Sequence, residues 1–266
     1  MNNSVSENNE ILPDFNLAPL LGADPRKVLP LDEKAELGRF MLGLAAAFND
    51  LKGGAYLAEQ MLKRHSLLDS SNDLRVRGQF TGMQDQVFRL ITAIIHELLK
   101  LIASHKDIVK GALFDRYVSR IDRESRAAWK RVVEVALGED KKENRGDALS
   151  QMLVKIRNKL AFHYDVKVLA KGYEKHFFGS DRNVTNERAV VSDGNNFIET
   201  RFYYVDAAYV SAIESAFGVS RDTFLKQLDS FAREVNRSLK TLIVEYLRSC
   251  DSGICRYQPE SSGERR

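Results

Sequence analysis

All five prolines of this 266-residue chain lie towards its ends: Pro13, Pro19, Pro25 and Pro30 near the start, Pro259 near the finish. Proline lacks an amide N–H and its ring clashes with the preceding turn, so helix interiors exclude it strongly. A proline-free stretch from Leu31 to Gln258 therefore points to a mainly helical body. Residues 1–30, rich in Asn and Pro, read as a loose N-terminal arm. Within it Ile11-Leu-Pro-Asp-Phe-Asn-Leu-Ala-Pro-Leu-Leu carries enough apolar surface to dock on the body or on a partner. Residues 31–250 read as a single mainly helical domain and 251–266 as a flexible tail.

Hydrophobic periodicity resolves the body further. Leu37, Phe40, Met41, Leu44, Phe48, Leu51, Ala55, Ala58 and Leu62 keep one helical face, with Asp32, Glu33 and Glu36 at its N-terminal end and Gly53-Gly54 as a candidate kink. Val87, Leu90, Ile91, Ile94, Ile95, Leu98, Leu99 and Ile102 form the clearest stripe. Phe224, Leu228, Phe231, Ala232, Val235, Leu239, Leu242, Ile243 and Tyr246 form a second long one. Residues 108–137 suit two shorter helices hinged near Ser119 to Asp122, and Leu149, Met152, Leu153, Ile156 and Leu160 stripe a helix running towards His163. One segment breaks the pattern. Between Arg188 and Val205 an Asp193-Gly194 turn signal precedes Ile198, Thr200, Phe202 and Tyr204, which alternate with Glu199 and Arg201, so a small β-hairpin insertion is expected at about residues 188–205.

Composition narrows the class of function. With 44% hydrophobic and 29% charged residues the chain is ordinary globular material, which excludes disordered, collagen-like and disulfide-scaffold classes. The net charge of +3 neither demands nor excludes a polyanionic partner, so any nucleic-acid site has to be a local patch. Apolar runs are short and broken by charge, and the start lacks a basic, apolar leader; a soluble, cytoplasmic protein with no membrane partner is expected. Cys250 and Cys255 read as free thiols, and His65, His96, His105 and His176 lack metal-ligand spacing. No phosphate-cradling Gly-rich loop, nucleophile elbow or paired zinc-ligand motif is present.

The sharpest constellation is Ile156-Arg157-Asn158-Lys159-Leu160-Ala161-Phe162-His163-Tyr164-Asp165. Measured from Leu149 at about 100° per residue, Arg157 sits at about +80°, His163 at about −40° and Asn158 about opposite. Arg157 and His163 thus flank an apolar face. A guanidinium can hold a phosphate in a bidentate fork, and an imidazole titrating near neutrality can move protons to and from the reacting oxygens of RNA, with no metal or other cofactor in the scheme. The alternative is a buried or capping His163 with Arg157 in an ion pair.

Arg157-Asn158 followed by His163 resembles the Arg, polar residue, then His pattern of HEPN domains (higher eukaryotes and prokaryotes nucleotide-binding), especially those of abortive-infection and toxin systems. The resemblance covers the motif and a helical block at about 75–180, with the 221–247 helix; the arm and the hairpin lie outside it. It implies a HEPN-like helical bundle that dimerises so that two Arg/His pairs line one cleft, and a metal-independent endoribonuclease. Arg157 would engage the scissile phosphate, His163 would be the acid/base and Asn158 would assist. An antitoxin or another defence-system partner is also implied. Members paired with a nucleotidyltransferase antitoxin often carry Tyr two places after the His; here Tyr164 stands one place after and Asp165 two, so tyrosine modification does not carry over.

Arg116, Arg120, Arg123, Arg126 and Lys130 would share a face if 108–131 were one continuous helix, and with Lys159 they are the candidate nucleic-acid-binding residues. The competing reading of that ridge is a solvated helix surface. Trp129 and Tyr203-Tyr204 could stack bases or belong to the core. The first functional expectation is a HEPN-type endoribonuclease acting as toxin or antiviral effector. The second is a catalytically silent helical module that binds RNA, a nucleotide or a partner protein. A third is a subunit whose apolar helices complete a bundle only in complex.

Overall fold

A computed structural model describes residues 21–29, 35–68, 74–138, 153, 166–179, 189–192, 201–217, 220–250 and 255–256. The fold is mainly α. Its described elements are β1 (Leu21–Gly22), α1 (Pro25–Val28), α2 (Ala35–Leu68), α3 (Leu74–Ser104), α4 (Lys106–Val109), α5 (Ala112–Arg120), α6 (Arg123–Leu137), α7 (Val166–Phe178), β2 (Val191–Ser192), β3 (Arg201–Phe202), α8 (Tyr203–Phe217), α9 (Arg221–Cys250) and β4 (Cys255–Arg256). Among the described residues no helix is long and apolar enough to cross a membrane.

The three long stripes expected from periodicity form α2, α3 and α9, and they bury most of the faces that carry them, Leu62 and Leu90 being exposed. Phe40, Met41 and Leu44 of α2, Ile95 and Ile102 of α3, and Phe231, Leu239 and Leu242 of α9 are almost fully buried in one cluster, which Leu153 joins at 0% exposure. Each such aliphatic side chain contributes about 1.5–3 kcal/mol by leaving water. Helix α2 runs unbroken through Gly53-Gly54. The role of Gly54 is close approach, because a Cβ there would meet Ile91 Cγ1 at 2.9 Å, while a Cβ on Gly43 would meet Leu101 at 3.0 Å. These two pairings set α2 antiparallel to α3.

The expected hinge in 108–137 is present, and its caps explain it. Ile121 and Asp122 are extended (ψ 160° and 161°), and the Asp122 carboxylate accepts from the Ser125 amide at 2.9 Å to start α6. Arg126 reaches back to close α5, donating to the carbonyls of Val118, Ser119 and Ile121 at 3.2, 2.6 and 3.0 Å. Gly138, at φ +65°, ends α6 in the left-handed conformation that glycine adopts without a Cβ penalty. Phe114, T-shaped against Phe40 and tilted on Trp129, carries this pair of helices onto the core.

Among the described residues there are two small sheets, the first joining segments far apart in the chain. β1 pairs antiparallel with β4 (Leu21↔Arg256, Gly22↔Cys255), and the Tyr246 hydroxyl donates to the Val28 carbonyl at 2.7 Å. Residues 21–29, read from the sequence as part of a loose arm, are thereby tied to the end of α9 and to part of the expected tail. Burial, with the Cys250 thiol adding to it, pushes the Tyr246 phenol well above its ordinary range. β2 pairs antiparallel with β3 (Val191↔Phe202, Ser192↔Arg201), within the expected hairpin. The hairpin is shorter than the alternation suggested. Tyr203, Tyr204 and Val205 open α8 instead of extending the strand, with Asp206 placed favourably in the first helical turn. The Asp193-Gly194 turn, Ile198 and Thr200 lie outside the described residues.

Helices α7 and α8 pack at their closest around Gly172, where a Cβ would collide with the Ala208 carbonyl and meet Ala212 Cβ at 2.8 Å. Gly172→Ala is expected to destabilise the protein by about 1–3 kcal/mol in urea unfolding, whereas Gly53→Ala, with nothing within 4 Å, should stabilise it by about 0.5–1 kcal/mol. Hydrogen bonds from the Ser125 side chain and backbone hold the Asp122 carboxyl below the usual range. Its folded-state pKa is lower than its unfolded one, so the cap stabilises above the ordinary Asp value and stops doing so as pH falls through the depressed value. The stability gap between wild type and Asp122→Ala, followed by thermal unfolding across pH, should therefore close in acid.

Candidate functional site

The residues of the sharpest motif, Arg157, Asn158, Lys159 and His163, lie outside the described residues. Two described neighbours bracket them in sequence: Leu153, fully buried in the core, and Val166, the first residue of α7. Tyr164 and Asp165 also lie outside the described residues.

The five cations expected to make one ridge are divided by the break at Ile121-Asp122. Arg116 and Arg120 belong to α5, and Arg123, Arg126 and Lys130 to α6. Three of them are engaged within the fold. Arg126 closes α5 as described; Arg120 donates to Ser249 Oγ at 3.1 Å and lies 3.6 Å from Glu245; Lys130 lies 3.7 Å from Glu134. Arg116 and Arg123 are exposed. Trp129 is a core residue, 3% exposed, and Tyr203 and Tyr204 are half-buried, with Tyr204 T-shaped against Tyr173.

What the structure assembles, and periodicity overlooked, is a polar seam along α3. Gly78, Gly82, Asp85, Arg89, Thr92 and His96 fall within about 40° of one line on this helix, opposite the apolar stripe. Gly82, Thr92 and His96 are buried, and Asp85 and Arg89 half-buried. Helix α8 and β3 lie along the seam. A Cβ on Gly78 would meet the Tyr203 ring at 2.7 Å, and one on Gly82 would collide with the Arg201 guanidinium and meet Asp206 Oδ2 at 2.5 Å. The two glycines therefore open a trough into which Tyr203 and Arg201 are laid. About two turns beyond Gly82, the Arg89 guanidinium sits 4.0 Å over the Tyr209 ring, a cation–π contact.

Arg201 is a confined charge laid on the seam. Its Nε donates to Asp206 Oδ2 at 2.9 Å, the side chains being only 12% and 20% exposed, while its buried Nη2 has no hydrogen-bond partner among the described residues. Close by in the fold, His176 of α7 stands 3.4 Å from the hydroxyl of buried Ser211 on α8. Guanidinium groups held this way are rigid and partly desolvated, which suits anion recognition and equally suits fastening a hairpin to a helix. A signal for the seam exists in the sequence: Asp85 and Arg89 four apart, and His96 seven beyond Arg89, on one side of an otherwise apolar helix. Among the described residues, no group of three His, Cys, Asp or Glu side chains could hold a metal ion.

Compared with models of known families, with curated proteins and with solved structures, the chain finds no match in any of the three.

Breaking the Arg201–Asp206 pair from one side leaves a guanidinium buried without its counter-charge. Asp206→Ala should cost about 3 kcal/mol in urea unfolding. The double variant Arg201→Met with Asp206→Ala should be more stable than Asp206→Ala alone, because the stranded charge is gone.

Proposed function

We propose that the chain is a metal-independent endoribonuclease of the HEPN type, a homodimer acting on RNA as a toxin or antiviral defence effector in the cytoplasm. Support for this reading comes from the Arg157-Asn158…His163 spacing in a mainly helical chain. Beside it stands one structural observation: Leu153, four residues before Arg157 in the sequence, is fully buried in the core.

In this reading the Arg157 guanidinium grips the scissile phosphate and offsets the charge that builds on it. His163 takes the proton from the ribose 2′-hydroxyl, and the 2′-oxygen attacks phosphorus. The P–O5′ bond breaks, and the leaving oxygen takes up a proton, giving a 2′,3′-cyclic phosphate and a 5′-hydroxyl. Asn158 assists by hydrogen bonding. Arg116 and Arg123 extend the cationic path for the RNA backbone. A neutralising antitoxin or defence-system partner belongs to the same proposal.

The test is RNA cleavage in the presence of a chelator by wild type, His163→Ala and Arg157→Ala, with the product ends mapped. Cleavage that survives chelation, leaves cyclic phosphate ends and falls by about 10²-fold or more in each variant is expected. Equal cleavage by all three proteins, or none by a folded dimeric sample, would overturn the reading in favour of a catalytically silent binding module.

A further inference from the structure

Helices α2 and α9 run antiparallel. A Cβ on Gly38 of α2 would meet the Tyr246 hydroxyl of α9 at 3.2 Å, and further along both helices residues 51–62 and 225–236 line one groove, joined by Phe88 and Ile91 of α3. Its volume is about 650 Å³, inside the range of roughly 300–1,000 Å³ that small-molecule sites occupy. From Leu51 to Leu62, and from Leu225 to Asn236, is about 16 Å of helix on each side. Leu62, on its wall, is 54% exposed, so the groove leaves apolar surface open to water.

The lining divides by chemistry. Ala55, Ala58, Phe88, Leu228 and Ala232 carry no side-chain hydrogen-bonding group. The rim carboxylates already hold cations, Glu59 with Lys63 at 2.8 Å and Asp229 with Arg233 at 2.9 Å. That leaves Lys52, Lys226 and Asn236, which are in no ion pair or side-chain hydrogen bond among the described residues. Lys52 and Asn236 belong to the ends of the two lining stretches nearer the Gly38–Tyr246 contact, so antiparallel packing puts an ammonium and a carboxamide at one end of the groove. Leu62 and Leu225 stand at the other end, with Lys226 next to Leu225.

We propose that this groove binds one long-chain fatty acid, the acyl chain laid between α2 and α9 and the carboxylate accepting hydrogen bonds from Lys52 Nζ and Asn236 Nδ2. Length, charge and volume select this ligand. A saturated chain advances about 1.3 Å per carbon, so about 14 carbons run the length of the groove. The lysines without a counter-charge attract an anionic head and repel a cationic one. A partner helix of the same length, about 10 Å across, would fill about 1,250 Å³ and stand about half outside. The proposal is independent of the ribonuclease reading, since no residue of the groove belongs to the cleavage motif.

Calorimetric titration of the full chain with the sodium salts of decanoic, dodecanoic and tetradecanoic acids, at a pH of about 8 where the carboxylate is ionised, tests it. One molecule should bind per chain, with an affinity that rises about threefold per added methylene up to about 14 carbons. Dodecyltrimethylammonium, with a cationic head on a chain of the same length as dodecanoate, should bind about tenfold more weakly or worse. Lys52→Glu should weaken dodecanoate about fivefold. Ala55→Trp, at an exposed helical position on the groove wall, should abolish binding by filling the trough, with circular dichroism showing both variants folded. No saturable binding to the folded chain, equal binding of the two head groups, or affinities unchanged in both variants would overturn the proposal. So would a dimer that Ala55→Trp splits with no acid bound, which would assign the groove to a second copy.

Discussion

The structure depends on burying α3 from two opposite sides. Its apolar stripe, led by Ile95 and Ile102, packs in one core cluster with α2, α6 and α9, and the loss of water from those side chains is the main source of stability. Its other side carries Asp85, Arg89, Thr92 and His96, groups that are costly to remove from water unless something answers them. The Tyr209 ring answers Arg89, and Thr92 bonds back to the Phe88 carbonyl at 2.8 Å. A helix enclosed in this way cannot rotate or slide without exposing apolar surface on one side or stranding charge on the other. Helices α2, α4, α6, α8 and α9 all touch it directly.

Close approach to α3 and within the α7–α8 pair is made possible by glycine. Gly54 admits Ile91, Gly78 and Gly82 admit Tyr203 and Arg201, and Gly172 admits the α8 backbone. Each removes a Cβ where a neighbour must enter, at the entropic cost that glycine brings to a helix. The ion pairs between α6 and α9, Arg131–Glu234 at 3.0 Å and Arg237–Glu124 at 2.6 Å, involve side chains substantially open to solvent and add little beside this packing.

Helices α2, α3, α5, α6 and α9 were legible because their signals are local, whereas α7 and α8 were not singled out from the sequence. Apolar spacing marked α2, α3 and α9, and the polar Ser119 to Asp122 stretch marked the break between α5 and α6, later explained by the Asp122 cap and the reach of Arg126. The hairpin was legible as a pairing but overextended, since Tyr203 and Tyr204 continue an alternation that their contacts override: Tyr203 is laid against Gly78 and Tyr204 against Tyr173. The proposed catalytic motif was read from residue types and spacing, and its residues fall outside those described. The α3 seam was overlooked because a strong apolar stripe draws attention away from the opposite side of the same helix.

Helical class, the three long amphipathic helices and the break before α6 were determined by the sequence alone, because periodicity, caps and the exclusion of proline act within a few residues along the chain. Only the tertiary structure decided that β1 would meet β4, that Arg201 would lie across Gly82 beside Asp206, and that α2 and α9 would part to leave a groove. Those outcomes depend on which surfaces far apart in sequence come together, and no local pattern encodes that distance.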